Sequence, residues 1–247
     1  MTTLESKTEI LVWDAPTRLF HWLLAVCFSG AYLTAESDRL MAIHLTLGYT
    51  MVGLVAFRVV WGVIGTRHAR FTSFLCGPAA VARYVSQRFS AQAEHSVGHN
   101  PLGAVSIVLM LLMTLAIVVS GWIYDTGGSH LLKEFHEGAA AFMLAVVGVH
   151  VAGVMFASLL QRENLVRSMF NGYQRGRAEQ AIRWTWWPVA VFMLAAVLGF
   201  WFLQWQNPPV DTMAGDNFQN QNFFENLGKN AGHRNNEDED EDEDEDD

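Results

Sequence analysis

Residues 136–150 read HEGAAAFMLAVVGVH and belong to an apolar run, His136–Leu160, that decides the fold. A bilayer core is crossed by a helix of roughly 20 mostly apolar residues, so the run is long enough to span a membrane. Its two histidines are 14 residues apart. On a helix this spacing separates them by roughly 21 Å along the axis and returns to within about 40° of the same direction. The run predicts a membrane-spanning helix with one histidine near each surface, both facing the same neighbours.

Four further apolar runs of comparable length occur along the chain. They are Leu19–Ala35, His44–Gly65, Pro101–Tyr124 and Trp184–Trp205. One such run is compatible with a buried helix of a soluble protein, but five in series are typical of an integral membrane protein. The sequence therefore predicts an all-α, multi-pass membrane fold.

The C-terminal part differs in composition from the rest. Residues 207–236 are rich in Asn, Gln and Gly, and eleven consecutive acidic residues follow at 237–247. This run accounts for the net charge of −9, so the remaining chain is close to neutral. We expect a membrane domain at 1–172, an inner linker and fifth transmembrane helix at 173–206, and a disordered acidic tail at 207–247.

The distribution of basic residues predicts the orientation. If the N-terminus is cytoplasmic, eleven of the 16 lysines and arginines fall in the inner segments, as in inner-membrane proteins. The fifth helix then leaves the C-terminus in the periplasm. The tail is either an electrostatic attractor for a basic periplasmic redox protein or a solvated segment without a specific partner.

Four of the nine histidines lie in or at the ends of the spans. In the predicted orientation His44 and His136 are both near the outer surface, whereas His21 and His150 are both near the inner one. Two opposed imidazoles can supply both axial ligands of a haem iron. The depths therefore predict two haem sites, His44 with His136 and His21 with His150.

Histidines within a membrane also have roles other than haem ligation. A single one commonly forms a hydrogen bond between helices, but four that match pairwise in depth are less easily explained in this way. A metal-ion transporter would also use carboxylates, and only Glu137 lies at the edge of a span. Gly48 and Gly153 lie near His44 and His150, where a small residue would let a flat porphyrin approach the backbone.

Several short motifs occur between about residues 10 and 172. They are Val12-Trp13-Asp14, Arg18-Leu19-Phe20-His21-Trp22, His44-Leu45-Thr46-Leu47-Gly48-Tyr49, Arg58 through Trp61-Gly62, Arg67-His68-Ala69-Arg70-Phe71, Gly98-His99-Asn100-Pro101, His136-Glu137, His150-Val151-Ala152-Gly153 and Arg162-Glu163-Asn164-Leu165-Val166. In this combination the chain resembles the bacterial cytochrome b561 and nickel–iron hydrogenase cytochrome b family.

The resemblance implies a four-helix core with two b haems on the residues matching His21, His44, His136 and His150. It also implies electron exchange between a membrane quinone pool and a redox partner such as a periplasmic cytochrome c, a dehydrogenase or a hydrogenase. Because both axial positions would be filled, such haems transfer electrons and do little else. Two alternatives stay open: an anchor subunit of a larger oxidoreductase, and a haem-free transporter.

Three further side chains have two interpretations each. Arg58 lies 14 residues after His44, at the predicted depth of His150. It either pairs with a propionate of the inner haem or extends to phospholipid head groups. His68 and His99 either border a propionate or quinone pocket or are ordinary polar residues of the membrane interface.

Overall fold

The structure is a computed structural model, and it describes residues 8–74, 77, 79, 82–83, 86, 98 and 101–206. The described chain is mostly helical, as predicted. The helices are α1 Ala15–Thr34, α2 Met41–Ile64, α3 Pro101–Asp125, α4 His130–Gln161, α5 Leu165–Asn171 and α6 Trp187–Gln206. The predicted tail, 207–247, lies outside the described residues.

Four helices of the described chain are long and apolar enough to cross a membrane. They are Asp38–Ile64, which extends α2 by one short turn, Pro101–Asp125, His130–Gln161 and Trp187–Gln206. Four of the five predicted spans therefore coincide with such helices. The remaining predicted span, Leu19–Ala35, corresponds to α1, which has 20 residues but includes Arg18 and His21 in its first two turns. That α1 crosses the membrane stays a prediction.

The helices pack in two close pairs, α1 with α2 and α3 with α4, and α2 joins the pairs by packing on α3. Helix α6 packs on α1 and α2. Among the described helices, α4 packs closely on α3 and α5 but not along α1 or α2. The face of α4 toward α1 and α2 is thus not filled by helix packing.

Local sequence explains where α1 begins and where α5 ends. Asp14 precedes α1 and accepts a hydrogen bond from the Thr17 backbone N–H at 2.7 Å, and Pro16 occupies the first turn. Both are favoured at a helix N-terminus. Helix α5 ends at Gly172, which has a φ of +89°. A Cβ there would lie 2.8 Å from the Trp13 carbonyl oxygen, so glycine is required for space as well as for conformation.

A two-stranded antiparallel sheet is the main feature that the all-α prediction lacks. Strand β1, Thr8–Leu11, pairs with β2, Tyr173–Gly176, so that Leu11 is opposite Tyr173. The backbone N–H groups of Val12 and Trp13 then both donate to the Gly172 carbonyl oxygen. We call the end of the bundle that carries this sheet the sheet end, and the opposite end the far end.

Candidate functional site

The far-end pair consists of His44 on α2 and His136 on α4. The ring centroids of His44 and His136 are 6.1 Å apart and the ring planes are inclined by 71°. The Nδ1 atom of His44 lies 2.9 Å from the Ala31 carbonyl oxygen, and that of His136 lies 2.8 Å from the Ile117 carbonyl oxygen. Since a carbonyl only accepts, each Nδ1 carries the proton. In the neutral form of imidazole this leaves the lone pair on Nε2, the atom available to a metal.

The ring separation agrees with two imidazoles that share one metal. A metal–imidazole bond is about 2.0–2.1 Å long on each side. Adding the distance from the coordinating nitrogen to the centroid of each ring places the two centroids about 6 Å apart. The imidazole of His136 packs closely against Gly121 of α3, because a Cβ at this position would lie 2.8 Å from Cε1 of the imidazole. The far-end pair is therefore positioned by α1 and α3 as well as by its own two helices, α2 and α4.

The sheet-end pair consists of His21 on α1 and His150 on α4. Both side chains are half-buried, and they lie close enough for their charges to interact. The Nδ1 atom of His21 is buried and has no hydrogen-bond partner within the described residues. A buried polar atom without a partner costs free energy, and among the described residues His21 lacks the backbone acceptor that each far-end histidine has. The structure thus brings the two far-end histidines together and places His21 and His150 within range of an electrostatic interaction.

The residues fit haem better than a bare metal ion. The described chain contains no cluster of three or more His, Cys, Asp or Glu residues suited to a metal. Zinc sites use three or four protein ligands, whereas haem iron takes four of its six ligands from the porphyrin. Positions where a Cβ would be added on Gly48 and Gly153 have no atom within 4 Å. No neighbouring side chain therefore fills the helix surface at these two glycines.

Arg58 of α2 is only 3% exposed. Its guanidinium carbon lies 4.7 Å from the ring centroid of Phe71 and 5.9 Å from that of Phe74. Its Nη1 atom is buried and lacks a hydrogen-bond partner among the described residues. A side chain that is covered in this way does not extend to solvent-exposed head groups, and the free Nη1 is suited to an anion.

Asp14 belongs to the motif Val12-Trp13-Asp14, but the sequence predicts no role for its side chain. It is 1% exposed, and its Oδ2 accepts hydrogen bonds from Trp61 Nε1 at 3.2 Å and Thr66 Oγ1 at 2.5 Å. Its position before Pro16 indicates a helix cap. Nothing local indicates the contacts with Trp61 and Thr66, because they join residues about 50 positions apart.

His68 also lies at the sheet end. Its Nε2 donates to the Gln180 carbonyl oxygen at 2.8 Å. Burial lowers the pKa of His68, and the charge of Arg67 lowers it further, whereas the hydrogen bond and Asp14 act in the opposite direction. Burial in the folded sheet end therefore favours the neutral form of His68. His99 lies outside the described residues.

Comparison with known proteins identifies related chains. A family model described as prokaryotic cytochrome b561 matches residues 12–172. A probable Ni/Fe-hydrogenase B-type cytochrome subunit of Rhizobium leguminosarum bv. viciae is 21% identical, over 67% of this chain and 89% of the relative. The corresponding subunit of Azotobacter vinelandii is 24% identical, over 68% and 89%. The probable Ni/Fe-hydrogenase 1 subunit of Escherichia coli K12 is 22% identical, over 66% and 89%. No solved structure matches.

Proposed function

Because the chain belongs to the prokaryotic cytochrome b561 family, whose members are membrane b-type cytochromes of electron transfer, we propose that it carries electrons on two haem b groups. One haem is held by His44 and His136 at the far end, and the other by His21 and His150 at the sheet end. The observation that carries the proposal is the far-end pair. Its rings are 6.1 Å apart, and each Nδ1 is committed to a backbone carbonyl.

The second site is supported by helix geometry and by burial. His136 and His150 lie on one continuous helix, α4, and are separated by roughly 21 Å along its axis. His150 is near His21, whose buried Nδ1 lacks another partner in the described chain. When bound, bis-imidazole haem supplies one-electron transfer. The protein places the two groups near opposite membrane surfaces and supplies Arg58 as a cation for a haem propionate.

The sheet end is the cytoplasmic end in this proposal. Exposed arginines cluster there, among them Arg67, Arg70, Arg175 and Arg177, and such residues are concentrated on the cytoplasmic side of inner-membrane proteins. This orientation places the far-end haem near the periplasm. The fifth membrane span, α6, then ends on the periplasmic side.

Quinone is the electron carrier that we propose within the membrane. An apolar groove lies between α2 and α6, and Phe57, Phe192 and Phe200 contribute to its wall. This lining suits the isoprenoid chain of a quinone. On the other side of the reaction we propose a soluble redox protein, either a hydrogenase or a periplasmic cytochrome c, and the relatives named as hydrogenase subunits favour a hydrogenase.

The pairing is tested by single replacements. His44→Ala and His150→Ala should each remove a different haem, because each breaks only one pair, so the purified variants should retain about half the haem of the wild type. Absorbance and reduction potential identify the haem that remains. His130→Ala is the matched control, since His130 is exposed and interacts with Glu134 instead of a second histidine. Loss of the same haem in both variants would refute the pairing.

An anchor subunit is the second candidate function, because the relatives are named as subunits of hydrogenases. In that role the haems would serve a tightly bound dehydrogenase. Copurification in mild detergent separates the candidates. A stoichiometric partner supports the anchor, whereas an isolated chain that exchanges electrons with a quinol analogue supports the independent carrier.

A further inference from the structure

The carboxylate of Asp14 contacts the last turn of α2 and the segment just after it, near Arg58. Its Oδ2 accepts from Trp61 Nε1 and from Thr66 Oγ1. Trp61 follows Arg58 by three residues, so both lie on the same buried face of α2. Asp14 thereby links the N-terminus of α1, the helix of His21, to the part of α2 that carries Arg58.

Arg58 brings a charge into this buried region. The Asp14 carboxylate, held at the same end of α2 by Trp61 and Thr66, favours this charge electrostatically. The rings of Phe71 and Phe74 cover it, and a Cβ on Gly62 would lie 2.1 Å from the Phe71 ring, so glycine permits this cover. A buried cation is stable only when negative charge compensates it. Asp14 supplies part of this compensation and leaves Nη1 for a second anion.

We propose that Asp14 is a positioning residue that holds a fixed negative charge beside Arg58 and thereby lowers the reduction potential of the haem bound by His21 and His150. This inference rests on the proposed function. A reduced haem has one electron more than an oxidised haem, so a nearby negative charge disfavours reduction, and a nearby positive charge favours it. Because Asp14 and Arg58 are buried, salt screens them weakly.

Asp14→Asn isolates the charge of this residue. Asparagine has nearly the same shape and also caps a helix well, so the hydrogen bond from the Thr17 N–H can be kept. A redox titration of the purified full-length protein, followed by absorbance, gives the potentials of both haems. The sheet-end haem is the one that His150→Ala removes. Its potential should rise in Asp14→Asn and fall in Arg58→Leu.

Asp125→Asn is the matched control, because it removes a carboxylate at the far end, where Asp125 accepts a hydrogen bond from Tyr49. It should leave the potential of the sheet-end haem unchanged. If Asp14→Asn fails to bind haem, Thr66→Val decides. It keeps the charge of Asp14 but removes a donor that partly offsets this charge, so the potential should fall.

The outcomes separate the two proposals. If both haems bind and the histidine variants behave as expected, but the potential stays the same or falls in Asp14→Asn, the role of Asp14 is wrong and the proposed function stands. An unchanged potential in Thr66→Val, when that variant is needed, has the same meaning. If the wild-type protein binds no haem, both proposals fail.

Discussion

At the scale of single residues, two backbone carbonyl groups decide the chemistry of the far-end histidines. Those of Ala31 and Ile117 accept hydrogen bonds from the Nδ1 atoms of His44 and His136. Such a partner fixes the tautomer and the orientation of a metal-binding imidazole. Neither carbonyl is recognisable in the sequence, since any residue type provides one.

His68 gives a prediction about pH. Its pKa lies below the ordinary value of 6.5 because of burial. The unfolded chain therefore binds the proton more readily than the folded chain, so the contribution of His68 to stability is present above about pH 6.5 and is lost as the pH falls through the folded pKa. We expect His68→Gln to reduce the loss of thermal stability between about pH 7.5 and about pH 5.5.

Thermal unfolding in detergent at several pH values measures this effect. His130→Gln is the control, because its imidazole is exposed and pairs with Glu134. The groups that act on His68 are Arg67, Asp14 and the Gln180 carbonyl, and all three stay in place. Equal pH dependence in His68→Gln and in the wild type would contradict the assignment.

At the scale of elements, Gly121 of α3 sets the position of His136 on α4. A Cβ at residue 121 would lie 2.8 Å from Cε1 and 3.0 Å from Nδ1 of the imidazole. Gly121→Ala should displace the ring, break its hydrogen bond to the Ile117 carbonyl oxygen and weaken haem binding at the far end by roughly 10–100-fold, as loss of such supporting contacts does at metal sites.

Haem titration of the purified apoprotein measures this effect. Gly199→Ala on α6 is the control, because no atom lies within 4 Å of the added Cβ. Far-end affinity that is the same in Gly121→Ala and Gly199→Ala would show that α3 does not position His136.

The sequence predicts the helices better than their connections. Long apolar runs locate α2, α3, α4 and α6. The spacing of 14 residues predicts that His136 and His150 face the same neighbouring helices. The sheet was not predicted, since β1 and β2 have four residues each and are separated by more than 160 positions. The same reason explains why the contacts of Asp14 cannot be predicted: its partners are distant in the sequence, and only the folded α1–α2 pair brings them together.

At the scale of the whole molecule, α4 is shared by both candidate haem sites. At the far end its His136 faces His44 of α2, and at the sheet end its His150 is paired with His21 of α1. Helix α4 does not pack along either of these helices in the described chain. Two sites at different heights along this one shared helix would form an electron path across the bilayer. At the sheet end of this path, β1 pairs with β2, Asp14 bonds to the end of α2, and His68 bonds to the Gln180 carbonyl oxygen.

Haem content per chain is the most direct test of the central claim. The full-length protein, expressed with ample haem and purified in mild detergent, should contain two haem b per chain, both with the low-spin spectrum of bis-imidazole ligation. A colourless protein, one haem per chain, or a high-spin spectrum that reveals an open coordination position would contradict the account.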